Sequence, residues 1–195
     1  MDVHGFDSKG LLSWVPAEER LNVYALVIYI PDPLGRFLDD LRRELVPGCS
    51  PHAHVSVLPP RPLAVHWQAA SEQVKAFAAG QSPFLVELGE IRIFPVTNVI
   101  YLEVGSGTKE LSSMHDALNG EALVFEEPFV YHPHVTLAQE IPPSEVGAVH
   151  ELAQRRWKEF PGERVFRADR TAFVQNTMGN GWIDLESFPL GAFKA

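Results

Sequence analysis

Apolar residues along the chain fall into short strand-like runs and helical stripes that alternate in two rounds. LNVYALVIYI (21–30) is rich in Val, Ile and Tyr and predicts a buried strand. Asp32-Pro33 offers an N-cap followed by proline at a first helical position, and Leu34, Phe37, Leu38, Leu41 and Leu45 continue as a helical stripe up to Pro47-Gly48. HVSVL (54–58) alternates polar and apolar residues, the mark of a strand with one buried face, and PPRP closes it. A helix is predicted over His66–Ala79, and strands over 84–94 and 98–104. The second round brings a helix over Thr108–Leu118, the short strand HVTLA (134–138) and a helix over Pro142–Phe160. Arg164–Val174 and Trp182–Phe188 then read as a hairpin turned by Asn180-Gly181.

Laid side by side, the two rounds match. Strand 21–30, helix, HVSV, helix and strand 84–94 correspond to strand 98–104, helix, HVTL, helix and strand 164–174, with the His-bearing strands 80 residues apart (134 less 54). Repetition of a whole supersecondary unit predicts an α+β fold of duplicated β-α-β-α-β units, bilobal and pseudo-twofold, with antiparallel sheets facing across a central cleft. Residues 1–20 read as an N-terminal extension, and 21–195 as one bilobal domain whose lobes are drawn from about 21–97 and 98–190, with strands free to exchange between them.

Composition narrows the functional classes. The chain has 195 residues and a net charge of −9, from 16 basic and 25 acidic residues, which speaks against a protein that coats long nucleic acid and gives no reason to expect DNA as a partner. Cys49 is the single cysteine, so neither an intrachain disulfide nor a cysteine metal site is available. The polar N-terminus lacks a secretory pattern, and the longest apolar run is too short to span a bilayer, so a soluble, cytoplasmic, monomeric protein without a membrane partner is expected.

Within the repeated strands, His54 and Ser56 share one face while Val55 and Val57 take the other; His134 and Thr136 do the same against Val135 and Leu137. Two imidazoles across a twofold axis suit phosphodiester chemistry, which needs a base for the attacking oxygen and an acid for the leaving oxygen. The hydroxyls of Ser56 and Thr136 are placed to donate to the non-bridging oxygens. No metal and no cofactor is needed. The symmetry does not decide which histidine is the acid; His134 as base and His54 as acid is the assignment carried forward. Arg61, held between prolines, is the best basic candidate for the substrate phosphate, and Phe129 and Tyr131, leading into the second motif, are candidates to stack on a base.

His54-Val55-Ser56-Val57 and Pro133-His134-Val135-Thr136-Leu137 resemble the paired motifs of the two-histidine (2H) phosphoesterase superfamily, of the 2'-5' RNA ligase-like type, over about residues 21–190. The resemblance implies a bilobal α+β domain with a central cleft, and enzymes that hydrolyse 2',3'-cyclic phosphates and related 2',5' linkages or reversibly join 2'-5' ends. A nucleotide or RNA terminus is the implied partner. Serine in the first motif, where threonine is common, keeps the donor. The acidic balance favours a small nucleotide or an RNA terminus over an extended RNA track.

Two other readings compete. One is a non-catalytic module that binds nucleotide or RNA in the same cleft. The other is a zinc protein, since His52-Ala53-His54 and His132-Pro133-His134 are two H-x-H pairs. The zinc reading ranks below acid-base chemistry because His132 precedes a proline and hydroxyl partners flank both pairs.

Overall fold

A computed structural model describes residues 15–49 and 52–191. Residues 1–14 of the expected N-terminal extension lie outside the described residues; Ala17–Glu19 form a 3-10 turn, and Arg20 already belongs to the first strand. In chain order the elements are β1 (Arg20–Tyr29), α1 (Leu34–Leu45), β2 (His54–Arg61), α2 (Trp67–Gly80), β3 (Phe84–Ile93), β4 (Ile100–Val104), α3 (Thr108–Leu118), β5 (His134–Ala138), α4 (Val146–Glu159), β6 (Val165–Ala168), β7 (Arg170–Thr177) and β8 (Trp182–Pro189). None of the described helices is long and apolar enough to cross a membrane.

The strands form two four-stranded antiparallel sheets, ordered β2-β1-β7-β8 and β5-β4-β3-β6. The orders correspond place for place. Each His-bearing strand is the edge of its sheet and pairs with the strand that precedes it across one helix, so the α+β bilobal duplication is realised. The sheets do not divide the chain at residue 97. β3 pairs with β4, whereas β7 and β8, from the end of the chain, complete the sheet that β1 begins.

One expectation is corrected by this topology. The hairpin turned at Asn180-Gly181 forms between β7 and β8, but the stretch 164–174 is not a single strand: it divides between β6, which pairs with β3, and β7, which pairs with β1 and β8. The chain crosses between sheets at Asp169, whose carbonyl accepts a hydrogen bond from Leu190 N at 2.8 Å. The burial pattern changes there too, from alternation in β6 to an almost continuous buried run in β7. β7 lies inside its sheet and is covered on both faces, as β1 is from Tyr24 to Ile28.

β2 also continues past HVSVL, through Pro59 and Pro60 to Arg61. Proline lacks a ladder donor, but on an edge strand this costs little. α1 starts at Leu34, so Pro33 rather than Asp32 takes the N-cap position; Asp32, one residue further out, still accepts from Arg36 N through Oδ1 at 3.0 Å. Its stripe of Leu34, Leu38, Leu41 and Leu45 is fully buried in the main core. α1 packs on α4 and on β5 of the other sheet, and α3 on β2, so each sheet is partly covered by a helix that connects strands of the other. α4 begins at Val146, four residues after Pro142, the predicted start of the helix.

Candidate active site

The two His motifs occupy equivalent places. Residues 52–58 and 132–138 share one burial sequence: exposed, buried, half-buried, buried, half-buried, buried, buried. The half-buried positions are His54 and Ser56 in one motif and His134 and Thr136 in the other. Val55, Val57, Val135 and Leu137 are buried in the core behind them. β2 and β5 are in contact, so the sheet edges bearing the motifs adjoin.

The imidazoles are held alike. His54 Nδ1 lies 2.7 Å from the carbonyl oxygen of His52, and His134 Nδ1 lies 2.7 Å from that of His132. A carbonyl only accepts, so Nδ1 carries the proton in both rings and the lone pair of the neutral ring is left on Nε2. Burial, the largest cause, lowers the pKa of both. His54 is pushed down to about 4, the nearby positive charges of Arg42, His52 and His134 adding to the burial and the bond to the His52 carbonyl opposing it. His134 is lowered by burial and by His132, against its own carbonyl bond. Burial thus favours the neutral form of both rings.

Aromatic side chains frame each histidine. Tyr29, opposite His54 in the ladder, stacks on His52 at 3.6 Å and meets His54 edge-on at 6.4 Å, while its hydroxyl donates to Asp184 Oδ1 at 2.6 Å. Across the pseudo-twofold, Phe94 stacks on Tyr101 at 3.9 Å, and both rings meet His134 edge-on, at 5.0 and 5.5 Å. Asp39 of α1 accepts from Ala53 N at 2.7 Å, which fixes the backbone leading into His54. Among the described residues no other protein group hydrogen-bonds the Ser56 or Thr136 hydroxyl, so both are available to a ligand.

Arg61 does not serve as the expected phosphate ligand. It is 1% exposed, and its donors are all directed inward: Nε to Pro59 O at 3.0 Å, Nη1 to Asn119 Oδ1 at 2.8 Å and Leu123 O at 3.0 Å, and Nη2 to Glu127 Oε1. Its charge is spent inside the fold, where burial lowers its pKa and Glu127 opposes that. Tyr131 is not a free platform either. Its ring stacks on His115 at 4.0 Å and 8°, and its hydroxyl donates to Ser56 O at 2.8 Å. Phe129, 60% exposed, keeps its ring open to solvent.

Sequence reasoning passed over Asp39, Arg42, Tyr29 and the His115–Glu127 pair. Asp39 and Arg42 fall among the other charged residues of α1, and nothing local marks them. The two H-x-H pairs do not assemble as a metal site: among the described residues no three His, Cys, Asp or Glu side chains form a metal-binding group, and His52 lies flat against Tyr29.

The sequence profile described as the 2'-5' RNA ligase superfamily matches residues 30–180. A Bacillus cytotoxicus protein provisionally named a phosphoesterase is 29% identical over 147 residues, covering 71% of this chain and 83% of that protein. A Geobacillus kaustophilus protein named in the same way is 24% identical over 177 residues, covering 86% and 96%. Among solved structures, Escherichia coli LigT complexed with NADP+ superposes with a TM-score of 0.61 at 17% identity, over 89% of this chain and 98% of that one. LigT complexed with 3'-AMP gives 0.60 at 16%, over 88% and 98%.

Proposed function

The chain belongs to the 2'-5' RNA ligase superfamily, and from that premise we propose that it is a metal-independent phosphoesterase opening 2',3'-cyclic phosphates or 2',5' linkages of a nucleotide or short RNA end. The observation that carries this reading is the duplicated imidazole geometry. Two rings on adjoining strand edges are each fixed through Nδ1 to a carbonyl two residues earlier and present Nε2.

The chemistry then follows from proton positions. An Nε2 lone pair takes the proton of the attacking water as the new P–O bond forms. The opposite Nε2–H gives its proton to the ribose oxygen as the old P–O bond breaks. An imidazolium in the acid role keeps its Nδ1–H on the carbonyl, so neither ring turns during the cycle. Ser56 and Thr136 donate to the non-bridging oxygens, where charge grows in the transition state.

The acid and base roles are reassigned. Burial holds His54 furthest from protonation, at about 4, so His54 is the base and His134 the acid for hydrolysis, the reverse of the order carried from the sequence. An anionic substrate raises both pKa values and supplies the proton's stabilisation at His134. Phe129, exposed and five residues before His134 in sequence, is the surface on which a base stacks. LigT was crystallised with 3'-AMP, a nucleotide of the size this reading requires. The proposed reaction uses no membrane, DNA or cofactor, and its place is the cytoplasm, where RNA ends occur.

Turnover of 2',3'-cyclic nucleotides by the purified protein in excess chelator tests the proposal, beside His54→Ala and His134→Ala. Loss of at least 10² in kcat in each variant is expected. Full activity in either variant, or binding of nucleotide without turnover by the parent protein, sinks it. The second result would leave a non-catalytic nucleotide-binding module.

A further inference from the structure

We propose that Tyr131 is a positioning residue that sets the span between His54 and His134, by donating its hydroxyl hydrogen bond to the carbonyl of Ser56 across the junction of the two sheets. This rests on the acid-base reading above, because the span matters only if both imidazoles act on one phosphorus.

The junction needs such a tie. β2 and β5 touch but share no ladder; each is an edge, paired on one side only. Alternate carbonyls of an edge strand point away from the sheet, so the distance between the two motifs is not set by sheet hydrogen bonds. Tyr131 stands three residues before His134, and Ser56 two residues after His54. Their 2.8 Å bond therefore joins the lobes at the two motifs themselves.

The tyrosine is itself braced. His115 of α3 lies beneath its ring at 4.0 Å, and His115 Nε2 is 3.0 Å from Glu127 Oε1. The same carboxylate oxygen pairs with Arg61 on β2, and Arg61 also holds Asn119 and Leu123. The segment 119–133 is thus stitched to β2 at Arg61 and again at Ser56. Burial raises the Tyr131 pKa, with Glu127 and Asp116 adding to it, so the hydroxyl remains a donor throughout the working pH range.

Tyr131→Phe keeps the ring and its stack and deletes only the O–H. With a 2',3'-cyclic nucleotide, kcat is expected to fall about tenfold with KM within about twofold, since misplacement of reacting groups by an ångström costs on the order of 10². His115→Ala, which removes the ring beneath Tyr131 and leaves its hydroxyl, is expected to lower kcat in the same direction by less; it carries the test if Tyr131→Phe does not fold. Imidazole NMR titrations give a readout independent of turnover. In the parent protein, His134→Gln raises the pKa of His54 by removing a neighbouring charge, and in the Tyr131→Phe background that rise shrinks.

A parent protein that turns over no cyclic phosphate defeats the functional reading, and the titrations alone then decide the tie. Parent-like kcat and parent-like His54–His134 coupling in Tyr131→Phe overturn the proposal. A fall in kcat that accompanies a collapse of thermal stability, with the coupling unchanged, overturns it too and marks Tyr131 as structural only.

Discussion

The guanidinium of Arg61 and the carboxylate of Glu127 are paired 66 residues apart in sequence where little water reaches: Arg61 is 1% exposed and the Glu127 side chain 11%. The pair joins β2 to the segment that leads into the second motif. Glu127→Ala leaves a buried cation without its counter-charge and is expected to cost about 3–5 kcal/mol, read as a lowered urea midpoint. Arg61→Lys keeps the charge but loses the fork that reaches Asn119, Leu123 and Glu127 together. It is expected to lower stability while the folded enzyme keeps its KM. A KM raised tenfold or more without loss of stability would return Arg61 to the phosphate.

The same residue shows what the sequence can and cannot reveal. The His motifs are legible because a strand's period of two is local: alternation in HVSV and HVTL is enough to put imidazole and hydroxyl on one face. The fate of Arg61 depends on Asn119, Leu123 and Glu127, long-range partners that no local pattern announces. The prolines before it suggest a loop, yet an edge strand tolerates them and β2 runs on. The crossing at Asp169 is an intermediate case. Its signal is present, as a switch from alternation in VFRA to a continuous buried run after Arg170, but the intervening charges read as part of one strand until the pairing partners are known.

Ser56 and Thr136 are expected to act on the transition state rather than on binding. Each hydroxyl is half-buried and faces the same side as its histidine. Ser56→Ala and Thr136→Ala should each lower kcat by on the order of 10² while KM changes little. Ser56→Thr, which keeps the donor, should stay close to the parent rate. Steady-state kinetics on a cyclic nucleotide checks this, and unchanged kcat in both alanine variants would remove the hydroxyls from the mechanism.

Phe129 tests how the base is held. Stacking on an aromatic ring is worth about 1–3 kcal/mol per base, equivalent to roughly 5- to 150-fold in affinity. Phe129→Ala is therefore expected to raise KM for a cyclic nucleotide within that range and leave kcat near the parent value. A cyclic phosphodiester without a base should be indifferent to the change. Equal effects on both substrates would exclude Phe129 as a platform.

Arg42 acts on His54 at a distance. Its Nε is buried and has no hydrogen-bond partner among the described residues, and its charge is one of the causes that hold the His54 pKa down. Arg42→Met removes that charge at similar length, so His54 becomes easier to protonate. The acid limb of the kcat/KM profile, which reports the base of the free enzyme, should move to higher pH. The optimum itself should fall below pH 6.5, because the acid His134 is also lowered from that value and must hold a proton. An acid limb that stays in place in Arg42→Met would show that His54 is not the base.

The depressed histidines also make stability depend on pH, with a definite sign. His54 titrates at about 4 in the folded chain and near 6.5 when unfolded. Between those values the unfolded chain binds a proton that the folded chain does not, so stability falls as pH drops from 6.5 towards 4 and is untouched above 6.5. His134 contributes in the same direction. Both histidines are partly buried rather than sealed from solvent, so water screens part of the effect and the loss is smaller than the shift alone would give. His54→Gln removes the titrating group, and its urea midpoint should change less between pH 7.5 and pH 4.5 than that of the parent. An identical drop in both proteins over that interval would place the acid sensitivity in other groups and show that the folded state does not depress the His54 pKa.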